Sequence, residues 1–228
     1  MARTVNEQEN AERRSRILDA ASRLIYAKGY ESMSVQDVLD AAGISKGAFY
    51  HYFDSKQDLL EAFVGRLTDD ALRRIAPIVD DPTLPALAKF QRVMADGLAW
   101  KTERKAMLAS LMRAWYGEDN LRVRLRLNEA GRRAMAPLVG RIVRQGVAEG
   151  VFDAPDPERA ADLFLVLGVS LTEGIVAEML ADPPAPGALA RILALADAYA
   201  RIYERILGAP AGSVRLLDPD LMERWLAG

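Results

Sequence analysis

Apolar residues recur at three- and four-residue steps along almost the whole chain, which is the spacing of one face of an α-helix. No segment shows the sustained alternation of apolar and polar residues that a half-buried strand would need. Glycines and prolines interrupt the helical pattern at intervals, and we expect helices to end near them. The pattern therefore predicts an all-α protein.

Three helices are predicted in the first part of the chain. The first covers residues 12–28 and is followed by Gly29, a residue suited to the left-handed position after a helix end. Ser34 is a natural N-cap for the second helix, and Asp37 three residues later completes a capping-box pattern. Gly43 ends that helix and Ser45 caps a short third one. This layout predicts a helix-turn-helix domain over residues 1–54.

Longer helices are predicted in the rest of the chain, with prolines at most of the breaks. We expect them over residues 55–77, 82–116 with a break near 101, 120–149 with a kink at Pro137, 155–180, 188–207 and 218–226. They form a larger helical domain over residues 55–208. Residues 209–228 are predicted to be a C-terminal tail with a short helix.

The third helix has two chemically different faces. At about 100° of rotation per residue, Phe49, Tyr52 and Phe53 lie on one side and suit a core. The other side carries Lys46, Gly47, Tyr50 and His51. It combines donors for phosphate, a small residue that permits close approach and a planar ring, as a helix in a major groove needs. The alternative is an ordinary surface helix with an aromatic core face.

Serine caps and cations surround this helix. Ser34 and Ser45 cap helices whose N-terminal N–H groups favour phosphate, and Lys56 lies near the start of the following helix. Arg13, Arg14 and Arg16 precede them and can reach a DNA backbone or minor groove, or else form a solvated face. His51 has no Cys or Ser partner in a nucleophile motif, which argues against a catalytic base.

The segment from about residue 13 to 63 resembles the TetR family of bacterial repressors. The resemblance rests on GISKGAFYHYF at residues 43–53, SKQDLL at 55–60, and the upstream Gly29-Tyr30 and SVQDV at 34–38. It implies an all-helical homodimer with an effector pocket in each C-terminal domain. The DNA-contacting residues expected from the face and the resemblance together are Ser34, Gln36, Ser45, Lys46, Gly47, Ala48, Tyr50, His51, Lys56, Arg13 and Arg14.

Composition narrows the classes of site that the chain can hold. It has no cysteine and one histidine, which excludes disulfides and zinc sites of the Cys/His type. The net charge is −2, and basic and acidic residues are equal in number within residues 1–56, so position rather than total charge must indicate DNA binding. We expect no metal or cofactor, no signal peptide and no membrane span, and hence a cytoplasmic protein.

Two C-terminal helices predict a dimer interface. The helix over residues 156–180 is apolar around almost its whole circumference, so it must be buried on more than one side. The last long helix has a wide apolar stripe. We expect both to pair with their symmetry mates in a four-helix interface, through Phe164, Leu167, Leu171, Ile192, Ala196, Tyr199 and Tyr203. The alternative is a central helix buried within a monomer.

An aromatic- and methionine-rich stretch predicts an adaptable apolar pocket. We assign to it Met94, Trp100, Met107, Leu111, Met112, Trp115, Tyr116 and Glu173, although each is also a candidate core residue. The arginines at residues 122–144 are spread around a helix and indicate a solvated surface.

The function that this organisation predicts is a sequence-specific transcriptional regulator. We expect a repressor that binds a palindromic operator as a homodimer and is released by a small apolar or aromatic effector. An activator, a ligand-independent DNA-binding protein and an architectural protein stay as alternatives. An enzyme with an apolar pocket is the remote one, because phosphate loops, nucleotide fingerprints and triads are missing from the sequence.

Overall fold

The structure is a computed structural model that describes residues 2–117, 120–179 and 186–226. Helices account for the regular structure of this described part, in which no strand occurs. They are α1 (Ala2–Lys28), α2 (Val35–Ala42), α3 (Lys46–Tyr52), α4 (Lys56–Asp80), α5 (Ala86–Glu103), α6 (Lys105–Trp115), α7 (Leu121–Ala148), α8 (Pro157–Met179), α9 (Ala188–Leu207) and α10 (Pro219–Leu226). The predicted all-α fold is confirmed.

Helix ends differ from the prediction at two places. Helix α1 begins at Ala2 rather than near residue 12, since no glycine or proline interrupts the chain there. Helix α4 continues past Pro77 to Asp80. A proline removes one backbone hydrogen bond from a helix, but Ile75 and Val79 are both buried in an apolar core, and this packing holds the last turn. The predicted end of α8 at Leu180 lies outside the described residues.

The chain divides into two compact units, and the division is not the predicted one. The first unit contains Met1–Thr68 and Ala106–Leu127, and the second Asp69–Lys105 and Asn128–Gly228. The predicted boundary at residue 54 misses the α6 contribution to the first unit. Met107, Leu111 and Ala114 of α6 are buried in the same core as the apolar residues of α1 and α2. Periodicity cannot show which core a helix joins, because it depends on the long-range path of the chain.

The C-terminal tail is part of the second unit rather than a separate element. Val214 is buried in the core of this unit, and its backbone N–H donates to Glu204 Oε1 at 3.1 Å. Met222 and Trp225 of α10 are also buried. The predicted separation at residue 209 is therefore wrong, because the tail carries its own buried residues.

Helix α8 is apolar enough to need separate comment. By length and composition alone it is the one helix of the described part that could cross a membrane, contrary to the expectation of no span. Core helices of soluble proteins meet the same criterion. Here α8 packs against α9, and Phe164, Leu171 and Val176 are buried within the chain. Burial inside the protein accounts for part of its apolar character, while Leu163 and Val166 of the same helix stay exposed.

Candidate nucleic-acid interface

Helix α2 begins at a serine cap and ends at a glycine, and the turn to α3 follows that glycine. Ser34 caps α2 with its side chain accepting from the Asp37 N–H, and the Asp37 carboxylate accepts from the Ser34 N–H, so the predicted capping box is present. Gly43 ends α2 with a φ of 64°, in the left-handed region that glycine adopts without steric cost. The Ile44 N–H then donates to Leu39 O at 3.0 Å. These contacts fix where α3 begins.

Helix α3 has the two faces that its sequence predicts. Ser45 caps it by accepting from the Ala48 N–H at 3.2 Å. Phe49 and Phe53 are buried in the core of the first unit, with ring centroids 5.8 Å apart. The opposite face exposes Lys46, Gly47, Tyr50 and His51, with Ala48 partly exposed beside them. A rigid aromatic base thus presents a polar and cationic face to solvent.

The acidic group at the Ser34 cap is neutralised within the protein. Asp37 forms an ion pair with Lys28 at 2.7 Å and accepts from the Ser34 hydroxyl at 2.6 Å. The hydrogen bond from Lys28, and after it those from Ser34, hold the pKa of Asp37 well below its ordinary value. A carboxylate at this cap would repel a phosphate bound there, and Lys28 offsets that charge.

The capping box makes stability depend on pH. Replacing Asp37 with Asn should lower the melting temperature at neutral pH, because the ionised carboxylate accepts the Ser34 bonds and pairs with Lys28. Since the pKa of Asp37 is depressed on folding, this stabilisation is present above the ordinary value of 3.8 and is lost as the pH falls below it. The difference between wild type and variant should shrink in acid.

Thermal unfolding of both proteins between pH 7 and pH 3 measures this difference. Asp40→Asn is the matched control, since Asp40 is exposed on the same helix and its carboxylate accepts from the neighbouring Gln36 Nε2 rather than from a cap. A difference that stays constant across the range would contradict the assignment.

The Lys56 side chain folds against the protein surface, where it makes two contacts. Its Nζ donates to Glu31 O at 3.2 Å and lies 4.4 Å from the Tyr30 ring centroid. Burial, followed by the charge of Glu31, raises the pKa of Tyr30 to about 12, so the ring stays neutral beneath the cation. Lys56 is partly buried and reaches a phosphate only by leaving these contacts.

The remaining predicted contact residues are surface groups of the same unit. Arg13, Arg14 and Arg16 are exposed on α1, and the Arg14 guanidinium carbon lies 4.9 Å from the Phe53 ring centroid. Gln36 is exposed and donates to Asp40 Oδ1 at 2.8 Å. These contacts orient Arg14 and Gln36 along the unit that carries α3. DNA contact by each stays a prediction.

The predicted effector-pocket residues are divided between the two units. Met94, Trp100 and Glu173 belong to the second unit, whereas the other five lie on α6 or just after it in the first. Met107 and Leu111 are buried core residues there, and a role of theirs in a pocket stays a prediction. Among the predicted set, Met94 lines a cavity of the second unit. The stretch is apolar mainly because α6 completes the core of the first unit.

The predicted dimer-interface residues mostly face the interior of the chain. Phe164, Leu171, Ile192, Ala196 and Tyr203 are buried within the second unit, and Leu167 and Tyr199 are partly buried against it. Other side chains of the same helices are the exposed apolar ones. They are Leu163 and Val166 of α8 and Ile202 of α9. When a helix is apolar on every side, its sequence does not show which side stays exposed to solvent.

Sequence reasoning missed the Lys28–Asp37 pair and the support of the first unit by Ser110. The Ser110 Oγ accepts from the Tyr30 N–H at 3.0 Å, eighty positions earlier in the chain. A β-carbon at Gly29 would lie 2.4 Å from this oxygen, so glycine is required there for two reasons, its φ of 81° and this contact. The sequence signals the first requirement but not the second.

Comparisons with known proteins agree with this site. The sequence model of bacterial regulatory proteins of the tetR family matches residues 17–63. The HTH-type transcriptional repressor KstR2 of Rhodococcus jostii is 37% identical over 67 residues, 29% of this chain and 33% of that protein. The match thus spans about a third of that relative. The uncharacterized HTH-type transcriptional regulator YfiR of Bacillus subtilis is 22% identical over 79% of this chain and 86% of its own length.

Solved structures share the fold across most of the chain. A tetR-family transcriptional regulator from Pectobacterium atrosepticum has a TM-score of 0.66 at 21% identity, covering 89% of this chain and 98% of that one. SmeT of Stenotrophomonas maltophilia, solved as a complex with triclosan, has a TM-score of 0.58 at 20% identity over 91% and 98%. Residues 17–63 thus match the bacterial regulatory proteins of the tetR family, and the chain shares its fold with solved regulators of that family.

Proposed function

We propose that the protein is a ligand-responsive repressor that binds a palindromic operator as a homodimer. The observation that carries the proposal is the exposed face of α3, where Lys46, Gly47, Tyr50 and His51 stand on a base of buried Phe49 and Phe53. The N-terminus of α3, capped by Ser45, adds backbone N–H groups for a phosphate. Relatives such as KstR2 are named as repressors, and a cytoplasmic location fits such a function.

In this proposal, residues of α3 read the base edges, and residues on and around α3 position the protein on the DNA backbone. Tyr50 and His51 reach base edges or thymine methyl groups in the major groove, and Gly47 allows the backbone to approach. Ser34, Lys46, Lys56, Arg13 and Arg14 contact phosphates and set the register. Lys28 supports Ser34 by neutralising Asp37.

A second copy of the chain is proposed to cover the exposed apolar side of α8 and α9. Leu163, Val166 and Ile202 are all more than a third exposed on two helices that pack against each other. Leu163, Val166 and Ser170 recur at helical spacing along one side of α8. A two-fold axis through such a face gives a four-helix interface. The two α3 helices would then read half-sites about 34–36 Å apart.

Release by a small molecule requires that the effector prefer one conformation of the dimer. A near-complete switch between two states needs about 5.5 kcal/mol of differential affinity. Helices α4 and α6 are suited to transmit it, because α4 contains residues of both units and α6 follows α5 directly and supplies Met107 and Leu111 to the first core. The structural neighbour SmeT, solved with triclosan, is consistent with an apolar or aromatic effector.

Selection of bound duplexes from random DNA tests this function. The proposal expects enrichment of one palindrome with half-sites about one helical turn apart. Tyr50→Ala is the matched comparison, because Tyr50 is assigned to base readout, is exposed, and its loss leaves the aromatic core intact. Enrichment of no sequence, or the same sequences for both proteins, would contradict the proposal.

A further inference from the structure

The second unit contains a cavity of about 650 Å³ that the sequence analysis did not predict. Met94 and Leu98 of α5 line it together with Leu216 and Leu217 of the segment that leads into α10. Cavities that bind small molecules measure about 300–1,000 Å³ and are mostly apolar with a few polar groups. The cavity is open to solvent on one side, and its space suits a drug-sized molecule with both apolar and polar groups.

The C-terminal wall of this cavity is fixed in place. Gln91 Nε2, on α5, donates to Ser213 O at 2.9 Å. The next residue, Val214, is buried and donates its N–H to Glu204 Oε1 at 3.1 Å. Because both bonds tie the segment to helices of the same unit, the cavity is a formed feature of the second unit.

Arg215 gives the cavity a charge preference. It lines the cavity, is exposed, and forms no ion pair with any residue that the structure describes. Asp218 also lines the cavity, but it has a partner within the protein, and its carbonyl accepts the first bond of α10 from the Met222 N–H at 3.0 Å. Arg215 is therefore the charged group available to a ligand, and a guanidinium favours a carboxylate or sulfonate.

The cavity is connected to the end of α5 through α10. Pro219, the first residue of α10, lines the cavity. At the other end of α10, Trp225 Nε1 donates to Thr102 Oγ1 at 2.9 Å, and Lys105 Nζ donates to Arg224 O at 2.8 Å. Helix α5 ends beside these contacts at Arg104, and α6 follows. Because these bonds join α10 to Thr102 and Lys105, a displacement of α10 would also move the first residue of α6.

We infer that this cavity is the effector site, and that it takes an amphipathic molecule with an apolar ring system or chain and one anionic group. The apolar part lies between Met94, Leu98, Leu216 and Leu217, and the anionic group pairs with Arg215. Occupation moves α10 and, through Thr102 and Lys105, the junction between α5 and α6. This inference rests on the proposed ligand-responsive function and names its site and ligand class.

Two dyes that differ by one sulfonate group test the site in the full-length protein without DNA. They are 1-anilinonaphthalene-8-sulfonate and its neutral counterpart N-phenyl-1-naphthylamine, both titrated by calorimetry. We expect one molecule bound per chain, with the sulfonate bound about 5- to 10-fold more weakly by Arg215→Gln and the neutral dye bound equally well. Arg201→Gln, an exposed arginine of α9 in the same unit, is the matched control and should change neither.

A second variant tests the apolar part. Leu98→Glu places a carboxylate against the ligand and should weaken both dyes at least about 10-fold, because a buried charge without a partner is costly. Leu98 is partly exposed, and the melting temperature of the variant shows whether it folds. If a folded Leu98→Glu protein and Arg215→Gln bind the sulfonate as tightly as wild type, the cavity is not the site.

The effector role is tested on the selected operator. We expect saturating sulfonate dye to weaken wild-type operator binding, and Trp225→Phe to bind the dye normally while losing most of that effect, because the bond to Thr102 is gone. A dye that binds in the cavity without changing wild-type operator affinity, or an unchanged effect in Trp225→Phe, would overturn the inference. Failure of the proposed function is distinct from both, because ligand-free protein would then select no operator.

Discussion

Replacing Tyr50 with alanine is expected to weaken operator binding by about 5- to 150-fold for each half-site, because a base contact of this kind contributes about 1–3 kcal/mol. The side chain is 45% exposed and packs edge-on against Phe49 at 5.3 Å between ring centroids. The core beneath α3 stays filled by Phe49 and Phe53. The melting temperature should therefore change little. Fluorescence anisotropy with labelled operator at fixed salt measures the loss of affinity.

The chain offers a closely matched control for this variant. Tyr26 is 50% exposed on α1 of the same unit and lies outside the predicted contact set. Tyr26→Ala removes the same side chain at similar exposure and should leave operator affinity within a factor of about two, as expected for surface substitutions. Equal losses for Tyr26→Ala and Tyr50→Ala would mean that α3 does not present the reading face.

Replacing Val166 with arginine is expected to separate the dimer and lower operator affinity by about 100- to 10,000-fold, the usual gain from linking two binding modules. Val166 is 46% exposed on α8. A two-fold axis near this face brings the two introduced arginines close together in an apolar interface, where their charges are unpaired. The fold of each chain should persist, because the substituted side chain points away from the buried Phe164 and Leu171.

Sedimentation at micromolar concentration measures the oligomeric state of this variant. Val147→Arg is the control, since Val147 is a valine 39% exposed near the end of α7 in the same unit. It should stay dimeric and bind the operator as wild type does. A dimeric Val166→Arg protein, or a wild-type chain that sediments as a monomer, would remove the proposed interface.

The helices and turns around α3 could be predicted from the sequence because their signals are local. The capping box of Ser34 and Asp37, the left-handed Gly43 and the cap at Ser45 depend on residues within four positions of one another. The two faces of α3 follow from helical rotation alone. These features were predicted and are present.

The features that could not be predicted from the sequence are those that depend on long-range packing. Met107 and Leu111 looked like pocket residues because their types suit either role, and only the fold shows that α6 completes the first core. Because α8 is apolar on almost every side, its sequence likewise did not show that Leu171 is buried while Val166 faces solvent. The cavity beside Arg215 depends on how the C-terminal segment passes α5, which no periodicity encodes.

The central claim is that α3 gives this protein sequence-specific DNA binding. The most direct measurement is the ratio of affinities for the selected palindrome and for a shuffled duplex of the same length, at one salt concentration, since non-specific binding is mainly electrostatic. The account predicts a preference of at least about 1,000-fold for the palindrome, the low end for specific regulators. Equal affinities for the two duplexes would contradict it.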